Sequence, residues 1–157
     1  MNTWKIAGKG VERMAVGFSK LVAMTGYSGT PLIKKLGIKE NFKIRIIHPP
    51  ANYFDLLADL PANTRNVKDT TIKKNFIHYF PKDGKELYAM LPKLKGEIKP
   101  DGMIWVSWPK KSSKIPSDIT EDFIRNYAIK TGLVDIKVCA VDEIWSGLKL
   151  VIPVKDR

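Results

Sequence analysis

"GMIWVSWPKKSSKIPSDI", residues 102–119, decides how this chain is read. Met103, Ile104, Trp105, Val106 and Trp108 form a nearly unbroken apolar run with only Ser107 inside it. A strand without polar alternation is buried on both faces, as in a parallel sheet with helices packed on each side. The run stops at Trp108-Pro109, and the polar loop Lys110-Lys111-Ser112-Ser113 follows. Asp118, with Glu121 three residues later, makes a capping-box-like start for a helix that reaches Thr131 and stops at Gly132. Ile119, Phe123 and Tyr127 form its apolar face.

Working toward the N-terminus, Leu87, Leu91, Leu94 and Ile98 share a helical face, and Pro92 is expected to kink or split that helix because it lacks an amide donor. "NFIHYF" (75–80) is a short strand of β-formers. "NYFDLLADL" (52–60) reads as a short helix, and "NFKIRIIHPP" (41–50) as a strand closed by prolines. A weak strand is expected near Arg65–Lys68. In "GTPLIKKLG", Thr30 is the N-cap, Pro31 the first helical position and Gly37 the stop. Toward the C-terminus, "VDIKVCAVD" (134–142) and "LKLVIPV" (148–154) flank a five-residue connection, a hairpin spacing, with the first of them a half-wet edge strand. Strands alternating with helices and ending in a hairpin predict an α/β, Rossmann-like fold: a mostly parallel sheet with an antiparallel C-terminal strand. Lys43 and Arg45 alternate in what should be a central strand, and are expected at its N-terminal rim.

The 157 residues suit one domain, with 44% hydrophobic and 27% charged residues. Residues 1–24 read as an extension, and 25–157 as the α/β domain. Within the extension Val11, Ala15, Phe18 and Val22 fall on one helical face, a stripe expected to dock on the domain rather than to anchor it at a membrane. No apolar run is long enough to span a bilayer. A single cysteine, Cys139, fits a reduced, cytosolic setting.

The net charge is +11 and is concentrated in residues 1–78, which hold 13 basic and 5 acidic residues. Such a surface attracts polyanions, so nucleic acid is one partner class. No zinc-finger spacing, ribonucleoprotein strand or recognition helix supports it. His48, His78 and Cys139 give no metal-ligand spacing. No phosphate loop, nucleophile elbow or nameable Ser/His/acid set is present, so the catalytic residues and the cofactor stay unassigned.

"LPKLKGEIKPDGMIWVSW" resembles the stretch of class I methyltransferases in which a helix ends and leads into a buried strand, and the closing helix–strand–hairpin resembles the C-terminal end of that fold. "GYSGTPLIKKLGIK", "WVSWPKKSS" and "CAVDEIWSGLKLV" resemble an uncharacterised bacterial family of domains of unknown function, over roughly residues 25–157. The first resemblance implies a truncated methyltransferase-like topology. It fails at the loop after the first strand, where that superfamily has glycines and this chain has His48-Pro49-Pro50, which argues against ordinary S-adenosylmethionine binding. Asp69, 21 residues after His48, stands near where a ribose-binding carboxylate would fall.

In a doubly wound sheet, ligands bind outside the carboxyl ends of the parallel strands. Those ends carry His48, Asn52 and Tyr53; Lys82; Trp108, Lys110, Lys111 and Ser112; and, if the strand before the hairpin is parallel, Asp142, Glu143, Trp145 and Ser146. Ser28 and Thr30, at a helix start, would add donors for an anion. The leading expectation is an anionic or phosphorylated small molecule bound at this rim. The alternatives are a nucleic-acid-associated protein and a methyltransferase with an altered cofactor site. In the bland reading the tryptophans are core lids, and Asp142 and Glu143 pair with Lys110 and Lys111.

Overall fold

The computed structural model describes residues 31–157. The expected Val11–Val22 helix, the Thr30 cap and the site residues Ser28 and Thr30 lie outside the described residues. The elements, in order, are α1 (Leu32–Leu36), β1 (Lys43–Ile47), α2 (Tyr53–Leu57), β2 (Arg65–Asn66), β3 (Lys74–Tyr79), α3 (Gly84–Glu97), β4 (Ile98–Pro109), α4 (Glu121–Thr131), β5 (Val134–Ala140) and β6 (Trp145–Val151). They build one six-stranded sheet in the order β2-β1-β3-β4-β6-β5. β1 to β4 run parallel, and β6 is antiparallel to both β4 and β5. The fold is thus Rossmann-like with an antiparallel penultimate strand. The chain adds β2 on one side of β1 and then β3 on the other, which makes the β1/β3 boundary the switch point of the sheet.

The unbroken apolar run in β4 has a direct cause. Ile104 and Val106 enter the core on the α3/α4 face with Leu87, Leu91, Leu94 and Ile124. Trp105 enters the opposite core with Leu36, Tyr53, Phe76 and Phe80. Both faces are covered, so neither parity of the strand can be polar. Trp105 keeps its one polar atom satisfied: Nε1 donates to the Leu36 carbonyl at 2.9 Å and so pins the end of α1 to the sheet. Gly102 is required where β4 begins its regular pairing. A Cβ there would lie 2.9 Å from the Lys74 carbonyl and 3.0 Å from that of Lys99.

Four local expectations are corrected. Of the two outcomes expected at Pro92, a kink or a split, the split does not occur: α3 runs unbroken from Gly84 to Glu97. The carbonyl of Tyr88, which a residue-92 amide would have served, instead accepts from Tyr127 Oη at 2.8 Å. Asp118 does not cap α4. Thr120 does, its hydroxyl accepting from Phe123 N at 3.1 Å, while Asp118 accepts from Gly84 N and caps α3 together with Asp83. The hairpin connection is Val141 to Ile144, shorter than expected, because Trp145 already pairs with Pro109. Arg45 does not emerge freely at a rim. Its Nη1 donates to both Glu97 oxygens, at 2.7 and 2.8 Å.

Glu97 also accepts from Lys74 Nζ at 2.8 Å, and Lys74 is fully buried. One carboxylate at the end of α3 therefore ties the middle of β1 to the start of β3. Lys74 further donates to the Asp69 carbonyl, which places Asp69 at this N-terminal edge and not beside any strand's carboxyl end. The Asp69 carboxylate is occupied by Thr71. Removing one partner of a buried ion pair leaves an uncompensated charge, at a cost of about 3–5 kcal/mol. Glu97→Gln is expected to lose stability on that scale in urea denaturation. A loss below about 1 kcal/mol would show that water reaches Lys74 and that the cluster is not structural.

Candidate functional site

β5 runs in the same direction as β1, β3 and β4, so the β5–β6 connection reaches the rim formed by their carboxyl ends. Backbone pairing welds it to the lysine loop: Trp108 faces Ser146, Pro109 faces Trp145, and Lys110 N donates to the Ile144 carbonyl at 2.7 Å. Two cavities open on this rim. The first, of about 380 Å³, is lined by the ends of β1 (His48), β3 (Phe80, Pro81, Lys82) and β4 (Pro109), the start of β6 (Trp145), and Ile115 to Ser117 of the following loop. The second, of about 590 Å³, takes in Trp108, Lys110, Lys111, Ser117, Thr120 and Ser146.

Sequence expectation and geometry part company at several residues. His48 and Trp145 share the first cavity, whereas Trp108, Lys110, Lys111 and Ser146 share the second. The two tryptophans do not converge. They sit at successive register positions of a ladder, where side chains alternate faces: Trp108 packs toward α3 and α4, Trp145 toward α1 and α2. Ser112 is exposed in a short 3₁₀ turn, Lys111–Ser113. Tyr53 is not at the surface at all. It is fully buried, and its hydroxyl is 2.8 Å from His78 Nδ1.

Asp142 and Glu143 form no ion pair with Lys110 or Lys111 among the described residues. Asp142 Oδ1 instead accepts from the amides of Ile144 and Trp145, both at 2.8 Å, and shapes the turn. The acids lining the second cavity, Glu121 and Asp122, are both engaged by Arg125. The lysine loop therefore presents two ammonium groups with no partner among the described residues.

At the mouth of the first cavity His48 has φ +56, the left-handed conformation that glycine adopts easily and histidine seldom does. Its imidazole is 60% exposed, and Nδ1 lies 3.4 Å from Glu86 Oε1. Glu86 stands in the first turn of α3 and is held by Tyr79 Oη at 2.9 Å and Lys82 N at 3.1 Å. Burial, reinforced by the hydrogen bond to Glu86, pushes the Tyr79 phenol well up, so it stays protonated and donates. Glu86 escaped sequence reasoning. Its signal was Asp83 three residues earlier, a capping pattern straight after a strand.

Behind the cavity wall lies a second histidine. His78 is wholly buried, stacked on Phe80 at 4.4 Å, with Tyr53 on one ring nitrogen and Ser107 on the other at 2.7 Å. A neutral imidazole has one donor and one acceptor, and these two hydroxyls satisfy both.

The described residues hold no group of three or more His, Cys, Asp or Glu able to bind a metal ion, and no helix among them is long and apolar enough to cross a membrane. In fold the chain is similar to S-adenosylmethionine-dependent methyltransferases. A SAM-dependent methyltransferase from Aquifex aeolicus matches with TM-score 0.55 at 14% identity, covering 85% of this chain and 96% of that one. Magnesium protoporphyrin IX methyltransferase from Synechocystis PCC 6803, solved with bound SAM, matches with TM-score 0.52 at 10% identity, covering 90% and 86%. The CcbJ methyltransferase from Streptomyces caelestis gives 0.51 at 4%, covering 77% and 87%. At such identities the likeness is one of fold alone. No family model matches the chain, and no curated protein does.

Burial pulls the His78 pKa down to about 3 from 6.5. Between those values the unfolded chain binds a proton that the folded chain refuses. Stability is therefore intact above about pH 6.5 and falls as pH drops below it, by up to about 1.4 kcal/mol per unit. Denaturation curves at pH 7, 6 and 5 are expected to show this decline, with a flatter profile in His78→Gln. A flat wild-type profile would mean that solvent reaches the ring.

Proposed function

We propose that the first cavity is the ligand seat of a methyltransferase-type domain with an altered cofactor contact. The observation that carries the reading is position. The cavity opens at the β1/β3 switch point, where open α/β sheets take their ligands, in a sheet similar in fold to those of SAM-dependent methyltransferases. Its make-up fits a nucleoside with a charged tail. Trp145 and Phe80, with ring centroids 5.3 Å apart, form an aromatic wall, Pro81, Pro109, Pro116 and Ile115 add apolar surface, and Lys82 offers a cation to a carboxylate. The alteration lies after β1. A glycine loop serves a cofactor with closely approaching amides, and here Pro49 and Pro50 have none to give. Side-chain charge takes over that task.

Isothermal titration with S-adenosylmethionine and S-adenosylhomocysteine tests the reading. Saturable binding is expected, with stabilisation of about 2.7 kcal/mol at 100 times the dissociation constant, lost in Trp145→Ala. Absence of heat and of any thermal shift at millimolar ligand would overturn it.

A second reading is favoured by the lysine loop: the second cavity binds an anionic or phosphorylated group between Lys110 and Lys111. Changing both lysines to Gln is expected to alter stability by no more than about 1 kcal/mol, since neither holds the fold together, and to abolish binding of inorganic pyrophosphate. Unchanged pyrophosphate binding would remove this reading, and steep loss of affinity with salt, equal for DNA and pyrophosphate, would favour a general polyanion surface instead.

A further inference from the structure

We infer that Glu86 orients His48 as the proton acceptor of the first cavity, so that the site acts on a substrate carrying a hydroxyl or amine. This rests on the cavity being a ligand seat, and it names the chemistry done there. His48 has a strained, left-handed backbone at the switch point, a placement the fold does not need for its core, because the side chain is mostly exposed. Its Nδ1 faces the Glu86 carboxylate at 3.4 Å, a separation that can tighten when a ligand closes the site. Glu86 cannot swing away easily, since Tyr79 Oη and Lys82 N both donate to the same oxygen. A carboxylate beside Nδ1 holds the proton on that nitrogen and leaves the Nε2 lone pair for the cavity that His48 lines.

Nε2 would take the proton from the substrate's oxygen or nitrogen and so free the electron pair that bonds to an incoming carbon. A bound S-adenosylmethionine-type cofactor would supply that carbon as a methyl group on sulfonium sulfur, the carbon–sulfur pair remaining on sulfur. His48 then returns its proton to water. Glu86 is a positioning residue throughout and touches neither partner.

The chain has two histidines, and His78 is buried, so His48 can be read alone. Two measurements on the full chain decide the matter. The first is the tautomer of His48 by nitrogen-15 NMR of the imidazole. The proton is expected on Nδ1 in the wild type and on Nε2, as in free histidine, in Glu86→Ala. Glu86→Gln, which keeps an oxygen for Tyr79 and Lys82 N, controls for damage to the start of α3 and is expected to retain the Nδ1 proton. The second is carbethoxylation of His48 by diethyl pyrocarbonate, located by peptide mass spectrometry. Its rate is expected to fall several-fold in Glu86→Ala, and in the wild type to be suppressed by saturating S-adenosylhomocysteine. An unchanged tautomer and rate in Glu86→Ala would overturn the inference, as would binding of S-adenosylhomocysteine without protection of His48. If S-adenosylhomocysteine does not bind at all, the cofactor reading fails, while the tautomer still reports whether Glu86 orients the ring.

Discussion

β4 is paired along both edges and covered on both faces, and the positions of the other elements follow from that constraint. Its apolar side chains must be sealed by α3 and α4 on one side and by α1 and α2 on the other. A strand so enclosed leaves its polar backbone free only where it ends. At Pro109 the ladder to β6 stops, and the chain emerges beside the ends of β1 and β3. The rim is thus the first place where side chains from four strands meet solvent and one another. Trp105 extends the same constraint to α1 through its buried hydrogen bond to Leu36.

The two ends of the sheet differ in chemistry. At the N-terminal edge charges are consumed by the structure: Glu97 takes both Arg45 and Lys74, and Asp69 turns inward to Thr71 and Lys74. At the carboxyl edge charges are left over. Lys110 and Lys111 are unpaired among the described residues, and the Glu86 carboxylate stands 3.4 Å from His48 Nδ1 with no hydrogen bond between them. Between the two edges the Tyr53–His78–Ser107 chain is closed on itself and uncharged, a polar strut inside an aromatic core. Buried polar chains of this kind rigidify a wall when every member is satisfied. Here that wall includes Phe80, which stacks on His78 and faces the cavity beside Trp145.

Much of the fold was legible because periodicity reports burial. The apolar run of β4, the α4 stop at Gly132 and the edge character of β5 can all be read from neighbouring residues alone. What escaped depended on partners far along the chain. Pro92 looks like a helix breaker until Tyr127, on another helix, supplies the hydroxyl that its missing amide requires. Asp118 looks like the cap of the helix it precedes, yet it caps one that begins 34 residues earlier. Tyr53 looks like a rim residue because it follows a strand end, but the turn at Pro50 directs it inward to His78. Trp108 and Trp145 looked convergent because their strands meet, and register, which short motifs do not reveal, sends them to opposite faces.

The claim on which the rest depends is that the β1/β3 switch point is the place of ligand binding. Backbone amide shifts mapped during titration with S-adenosylhomocysteine address it most directly. Saturable shifts are expected at His48, Phe80, Lys82, Ser117 and Trp145, with Lys74 and Glu97 at the far edge unmoved. Shifts spread over the lysine-rich surface that fade with salt, or no shifts at millimolar ligand, would contradict it.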